Sequence, residues 1–214
     1  MSTALLVLAN VFGGLIFLFF LWRRLKEDYP SSKIFSLGFF VIGAILVSFL
    51  VSALFIIPNI TKVYFFDPKG LWFWLALVSA SIVLAVSLLR LKMRFFEGVE
   101  AASLGLSFWF VVLLISSALI FKLIPAILYG VVVAALIFMF FFLDKRYKRF
   151  TWYKSGKVGF SGLTLLAVFF LVRAAIAIID PTMLSFIGKI DALISSVLSF
   201  LFFLSVYNLG GLND

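Results

Sequence analysis

The chain has 214 residues, 65% of them hydrophobic and 13% charged, with a mean hydropathy of +1.26 and a formal net charge of +9. That composition lies far outside the range of water-soluble domains. With no Cys and no His, thiolate chemistry, a disulfide framework, His-ligated haem and most zinc or non-haem iron sites are excluded, and any proton transfer falls to Asp, Glu, Tyr or Lys; no cofactor and no metal site is expected.

The apolar residues come in runs of about 20, the length at which a helix rising ~1.5 Å per residue crosses a ~30 Å hydrocarbon core. In chain order the runs are Ala4 to Trp22, Ile34 to Ile57, Leu71 to Leu89, Ala101 to Phe121, Ile124 to Leu143, Val158 to Ile179 and Ala192 to Asn208. They predict an all-α, polytopic membrane helical bundle of seven spans, one integral membrane domain over residues 1–214. A transmembrane β-barrel would instead show alternating strands of ~10 residues, whereas Val131 to Leu143 is apolar on every side.

The first run lacks a basic leader and a small-residue cleavage motif and is followed by Arg23, Arg24 and Lys26, so it reads as a retained span rather than a secretory signal. Basic residues collect on the cytoplasmic side of membrane proteins. With the N-terminus outside and the C-terminus in the cytoplasm, the inner loops hold Arg23, Arg24, Lys26, Lys33, Arg90, Lys92, Arg94, Lys145, Arg146, Lys148, Arg149, Lys154 and Lys157, and the outer loops only Lys62, Lys69, Lys122 and Lys189. These short basic loops face anionic headgroups, so the positive charge points to a membrane surface and not to nucleic acid. Tyr29, Tyr147, Trp152 and Tyr153 fit an inner aromatic belt and Tyr64 and Trp72 an outer one. Lys122 and Leu123 alone separate the fourth and fifth runs, which requires a tight turn.

Arg173 is the one charged residue inside these runs. It sits ~9 Å below the outer end of the sixth run at helical rise. A charge at that depth costs at least a few kcal/mol and marks a functional candidate. Gly159, Gly162, Phe169 and Ala177 share its helix face, so it is expected to point into the bundle or a groove. The alternatives are snorkelling to the interface or an ion pair with Asp67 or Asp180; the outer loops also offer Asn59, Tyr64 and Asp191. Pro125 and Tyr129 open the fifth run, where Pro is tolerated in a first helical turn. The cluster Ser103, Gly105 and Ser107, and the pair Ser79 and Ser81, suit close helix packing. Glu97 and Glu100 precede the fourth run and suit capping of its N-terminus.

Several of these segments resemble the prolipoprotein diacylglyceryl transferase family. Phe17 to Ile57 is similar to that family's first two helices with their basic loop, and Gly70, Leu71 and Phe73 in GLWFWLALVSAS resemble its Gly-Leu-Ser-Phe-His-Gly-Gly segment. Pro125, Leu128 and Tyr129 in IPAILYG resemble its His-Pro-Thr-Gln-Leu-Tyr-Glu motif, and FFLVRAAIAIID places Arg173 on the Arg of its Tyr-Gly-x-x-Arg-Phe helix. Trp74 stands where the family has His, Phe169 where it has the Tyr before the Arg, Ile124 where it has the Pro-adjacent His and Gly130 where it has Glu. The family's Gly-Arg-x-Gly-Asn-Phe segment has no counterpart.

The resemblance implies an enzyme of the bacterial inner membrane that moves a diacylglyceryl group from phosphatidylglycerol to the cysteine of a lipoprotein precursor. Arg173 would be catalytic, stabilising the phosphate leaving group, and Tyr129, Pro125, Phe169 and Trp74 would line the substrate site. The losses equally fit a degenerate, non-enzymatic relative that binds phospholipid or a membrane partner. A transporter or retinal protein has less support: no Asp or Glu falls inside the runs and the seventh has no Lys.

Overall fold

The computed structural model describes residues 2–56, 70–122, 124–150, 153, 158–180 and 185–211. Each of the seven runs is a helix: α1 (Ser2–Leu25), α2 (Ser31–Val51), α3 (Leu71–Arg90), α4 (Phe95–Phe121), α5 (Ile124–Arg146), α6 (Phe160–Ile179) and α7 (Ile190–Gly211). All seven are long and apolar enough to cross a membrane, and no strand occurs among the described residues. The chain is a multi-pass membrane protein built as a helical bundle. Phe12, Phe39, Phe138, Ile179 and Phe200 project outward from it, as a lipid solvent requires.

The helix ends differ from the hydropathy runs where charge is buried. α4 begins at Phe95, not at Ala101, because Glu97 and Glu100 sit on helical turns whose carboxylates have partners. α7 begins at Ile190 and takes Asp191 into its first turn. α2 passes at its end into a π-helical turn, Ser52–Ile56. The α4–α5 connection is as tight as expected: Lys122 adopts a left-handed conformation (φ 54°) and its N–H returns to the Ala118 carbonyl. A left-handed residue after the last helical turn is a common way to end a helix.

α1 packs chiefly on α4, α6 on α7 and α2 on α3, with α5 between α4 and α6. α6 approaches α4 closely through Gly162, where a Cβ would lie 2.6 Å from the Glu100 Cα. α3 leans on α2 and meets α4 only lightly. The gap between α3 and the α4/α6 wall is therefore the loosest part of the interior.

Two belt assignments change. Tyr147 and Tyr153 are buried, with Tyr147 stacked on Phe160 at 5.9 Å and Tyr153 edge-on to the same ring at 4.8 Å. They form a small aromatic core under the α5–α6 connection and not a lipid-facing belt. Trp72 is half-buried and stacks on Phe49 at 5.1 Å. Of the serines, Ser79 reaches across to the Ala44 carbonyl on α2 at 3.4 Å, while Ser81 faces outward. Asn59, Lys62, Tyr64, Asp67, Lys69, Leu123, Trp152, Lys154 and Lys157 lie outside the described residues.

Candidate functional site

Arg173 occupies the fourth turn of α6 and is fully buried. Its carboxylate partner among the described residues is not Asp180, one of the two aspartates that sequence spacing favours; the other, Asp67, lies outside them. After α6 the chain returns, and residues 185–187, all buried, bring the first turn of α7 back to the level of the guanidinium. Arg173 then meets Asp191 in a bidentate pair, Nε to Oδ1 at 2.8 Å and Nη2 to Oδ2 at 2.7 Å. Nη2 also donates to the Ser185 carbonyl at 2.5 Å and Nη1 to the Ser185 hydroxyl at 3.0 Å. Four of the five guanidinium N–H donors are thereby used.

The carboxylate is equally well supplied. Besides Arg173, Asp191 accepts from Trp74 Nε1 at 3.0 Å, from the Ile187 backbone N–H at 3.2 Å and from the Ser195 hydroxyl at 3.0 Å. A buried ion pair is tolerated when such extra hydrogen bonds fill its remaining donors and acceptors. Ser185 contributes two acceptors only by taking a left-handed backbone (φ 78°), a conformation that costs a non-glycine residue roughly 1–3 kcal/mol and that the surrounding bonds must hold.

Aromatic rings close the pair off. The guanidinium carbon lies 3.9 Å from the Phe73 ring centroid, 4.3 Å from that of Phe186 and 5.4 Å from that of Trp74. Tyr129 stacks between Phe186 at 5.9 Å and Phe169 at 6.5 Å, and Phe110 meets it edge-on. Gly70 at the start of α3 seats directly on this wall: a Cβ there would fall 2.1 Å from the Phe186 carbonyl oxygen. Only glycine allows α3 to come down flush on the returning segment.

Of the five site residues read from sequence, Arg173, Tyr129, Phe169 and Trp74 thus converge on one centre. Pro125 does not: it is exposed in the first turn of α5. Asp191, Ser185 and Phe186 belong to the centre and were not singled out. Asp191 was visible only as an outer-loop acid, and nothing in its spacing shows that the chain folds back to place it one helix layer from Arg173. The Tyr129 hydroxyl is buried beside the Arg173 guanidinium, with no hydrogen bond of good geometry among the described residues.

Beside this centre runs an apolar cavity of about 110 Å³ between α3 and the α4/α6 wall. Its α3 side extends from Trp72 to Ala80, ~12 Å at helical rise. Phe73 and Phe169 line both the cavity and the Arg173 centre. Ser103 and Ser107 also border it, but their hydroxyls donate to carbonyls of their own helix, of Glu100 and Ser103 respectively, so the cavity presents almost no free polarity.

A second ionic centre lies at the opposite ends of these helices. Arg24 on α1 donates to both oxygens of Asp144 on α5, at 2.7 and 2.9 Å, and pairs with Glu100 Oε1 on α4. The other Glu100 oxygen accepts the Gly159 N–H at 2.7 Å, ahead of α6. Glu100 therefore caps the entry to α6 and not its own helix. Next to it, Tyr29 donates to Glu97 at 3.0 Å and accepts the Arg94 N–H at 2.9 Å. Partial burial raises the Tyr29 hydroxyl above its usual pKa, and the Glu97 contact adds to the effect, so it stays a donor at neutral pH. A polar cavity of about 260 Å³ opens beside Arg24, Glu97 and Glu100.

Among the described residues no group of three or more acidic side chains is arranged to hold a metal ion. Compared with protein-family models, with curated proteins and with solved structures, the chain matches none.

Proposed function

We propose that this chain is a phospholipid-binding, multi-pass membrane protein that admits an acyl chain into the cavity between α3 and the α4/α6 wall and performs no chemistry on it. The observation that carries this reading is an elongated, nearly unpolar cavity bordering an arginine with four of its five donors already committed. Apolar cavities of this order stay dry and accept apolar guests, and in a bilayer the abundant apolar guest is a lipid tail. A guanidinium with four of its five donors held by Asp191 and Ser185 supports a structural role, since phosphate stabilisation needs donors aimed at the developing charge. The excess of basic residues at one end supports a cytoplasmic placement of that end, with the Arg173 centre toward the outer leaflet.

The test is native mass spectrometry of the protein released from mild detergent. The unmutated chain should retain phospholipid, and Ala76→Leu with Ala80→Leu, which fills the cavity from α3, should retain markedly less while melting at a similar temperature. An unmutated chain that keeps no lipid, or a filled variant that keeps as much, overturns the reading.

A second reading is favoured by the convergence of Trp74, Tyr129, Phe169 and Arg173, four positions that resemblance to the diacylglyceryl transferases assigns to one site. On that reading Arg173 leaves Asp191 to stabilise the phosphate of phosphatidylglycerol while a lipoprotein cysteine attacks, in a bacterial inner membrane. Restoration of lipoprotein lipidation in a bacterium depleted of its own enzyme, lost with Arg173→Ala, would establish it; no restoration by the unmutated chain would dismiss it.

A further inference from the structure

The end of α5 carries a feature that neither ionic centre uses. Lys145, Arg146, Lys148 and Arg149 are all exposed, on the last turn of α5 and the 3-10 turn Tyr147–Arg149 that follows. None of the four forms an ion pair with a carboxylate among the described residues. The nearest acid in sequence, Asp144, is turned inward and held by Arg24. Inserted among them, Tyr147 points the other way, stacked on Phe160 and edge-on to Tyr153 at 5.8 Å. A buried aromatic peg thus fixes a short turn that carries four exposed cations without a carboxylate partner among the described residues, the Lys148 Nζ lying 5.9 Å from the Tyr147 ring centroid.

The helix surface leading to these cations is fully apolar. Phe138 is 76% exposed and Phe142, one turn on, 52%. Arg146 bends back over the Phe142 ring at 4.2 Å, a cation–π contact that keeps the guanidinium at the edge of the apolar face. Other basic residues of this end are engaged differently: Arg94 pairs with Glu97, Lys33 donates to the Leu91 carbonyl and Arg24 is in its ionic centre.

We infer that this α5 exit is a binding site for an anionic phospholipid, whose acyl chains lie along Phe138 and Phe142 and whose phosphate is held by Arg146, Lys148 and Arg149. The commitment to a lipid, and not to a free phosphate, rests on the continuity of the cations with the lipid-facing phenylalanines. Basic clusters directly beside a span attract anionic headgroups, the more strongly the more cations act together, and guanidinium groups suit phosphate through paired N–H donors. The site is separate from the cavity between α3 and α4/α6 and does not depend on it.

The experiment is competition between phosphatidylglycerol and phosphatidylcholine, supplied in equal amounts to the delipidated full chain and read by native mass spectrometry. The unmutated chain should bind the anionic lipid with a preference of roughly tenfold or more, since each cation near an anionic headgroup contributes about 1 kcal/mol and about 1.4 kcal/mol is tenfold. Arg146→Gln with Lys148→Gln and Arg149→Gln should lose most of that preference. Arg23→Gln with Lys26→Gln, which removes charge from the same end elsewhere, should keep it, and so should the cavity-filling Ala76→Leu/Ala80→Leu variant. Inorganic phosphate at millimolar concentration should leave the bound lipid in place. An unmutated chain without preference, equal losses in the two charge variants, or displacement of the lipid by phosphate would overturn the assignment. Because Arg146, Lys148 and Arg149 are all exposed, the variant should keep the melting temperature of the parent.

Discussion

The two arginine centres sit near opposite ends of the same bundle and solve the problem of a charge among apolar helices in opposite ways. Among the described residues Arg173 has one carboxylate, sealed from solvent with it; its partners Ser185 and Asp191 come from the returning segment and α7, as does Ser195, which donates to Asp191. Arg24 has two carboxylates, from α4 and α5, and its side chain and that of Asp144 remain about a quarter exposed beside a polar cavity. The first centre is balanced in charge and dry; the second carries a surplus negative charge that hydration at the helix ends can support. A dry pair must be matched one to one and fully hydrogen-bonded, because removal of either partner strands a charge that cannot reach water. A wet centre can join three helices with imperfect balance.

That contrast sets the order of mutational effects. Arg173→Ala or Asp191→Ala should destabilise by about 3–5 kcal/mol, the range for breaking a buried pair by removing one member, read as a drop in melting temperature in detergent. Arg24→Ala should destabilise less, about 1–3 kcal/mol, because water in the neighbouring cavity can take over part of the solvation of Glu100 and Asp144. Salt sharpens the comparison: raising ionic strength should shrink the Arg24→Ala difference and leave the Arg173→Ala difference unchanged, since only partly exposed charges are screened. Equal responses to salt would break the distinction between the two centres. The smallest effect should come from Tyr129→Phe, about 1 kcal/mol or less, since its buried hydroxyl makes no hydrogen bond of good geometry among the described residues. A much larger loss would mean that this hydroxyl bonds to the Arg173 centre.

The seven helices were legible because hydropathy is a local signal: each run of about 20 apolar residues must be a helix in lipid, whatever its neighbours do. Arg173 was legible for the same reason, as a charge interrupting such a run. Its partner was not. Asp191 reads as a loop acid until the return of residues 185–189 is known. Glu100 and Arg24 were read by their nearest sequence context, as a helix cap and a topology signal, although they are joined across 76 residues. The same holds for Tyr147, whose flanking cations suggest an interfacial belt but whose ring is claimed by Phe160. Composition states what a residue costs in the membrane; only the packing of distant helices states what offsets that cost.

The central claim, that Arg173 and Asp191 form a structural pair and not an open phosphate site, is tested most directly by replacing both members. Melting temperatures would be compared for Arg173→Met, Asp191→Leu and the double variant. Each single change should lower the midpoint by on the order of 10 °C. The double variant should recover most of that loss, because an apolar pair of similar size leaves no buried charge uncompensated. A double variant no more stable than Arg173→Met alone, or an Asp191→Leu variant that melts like the parent, would contradict the account.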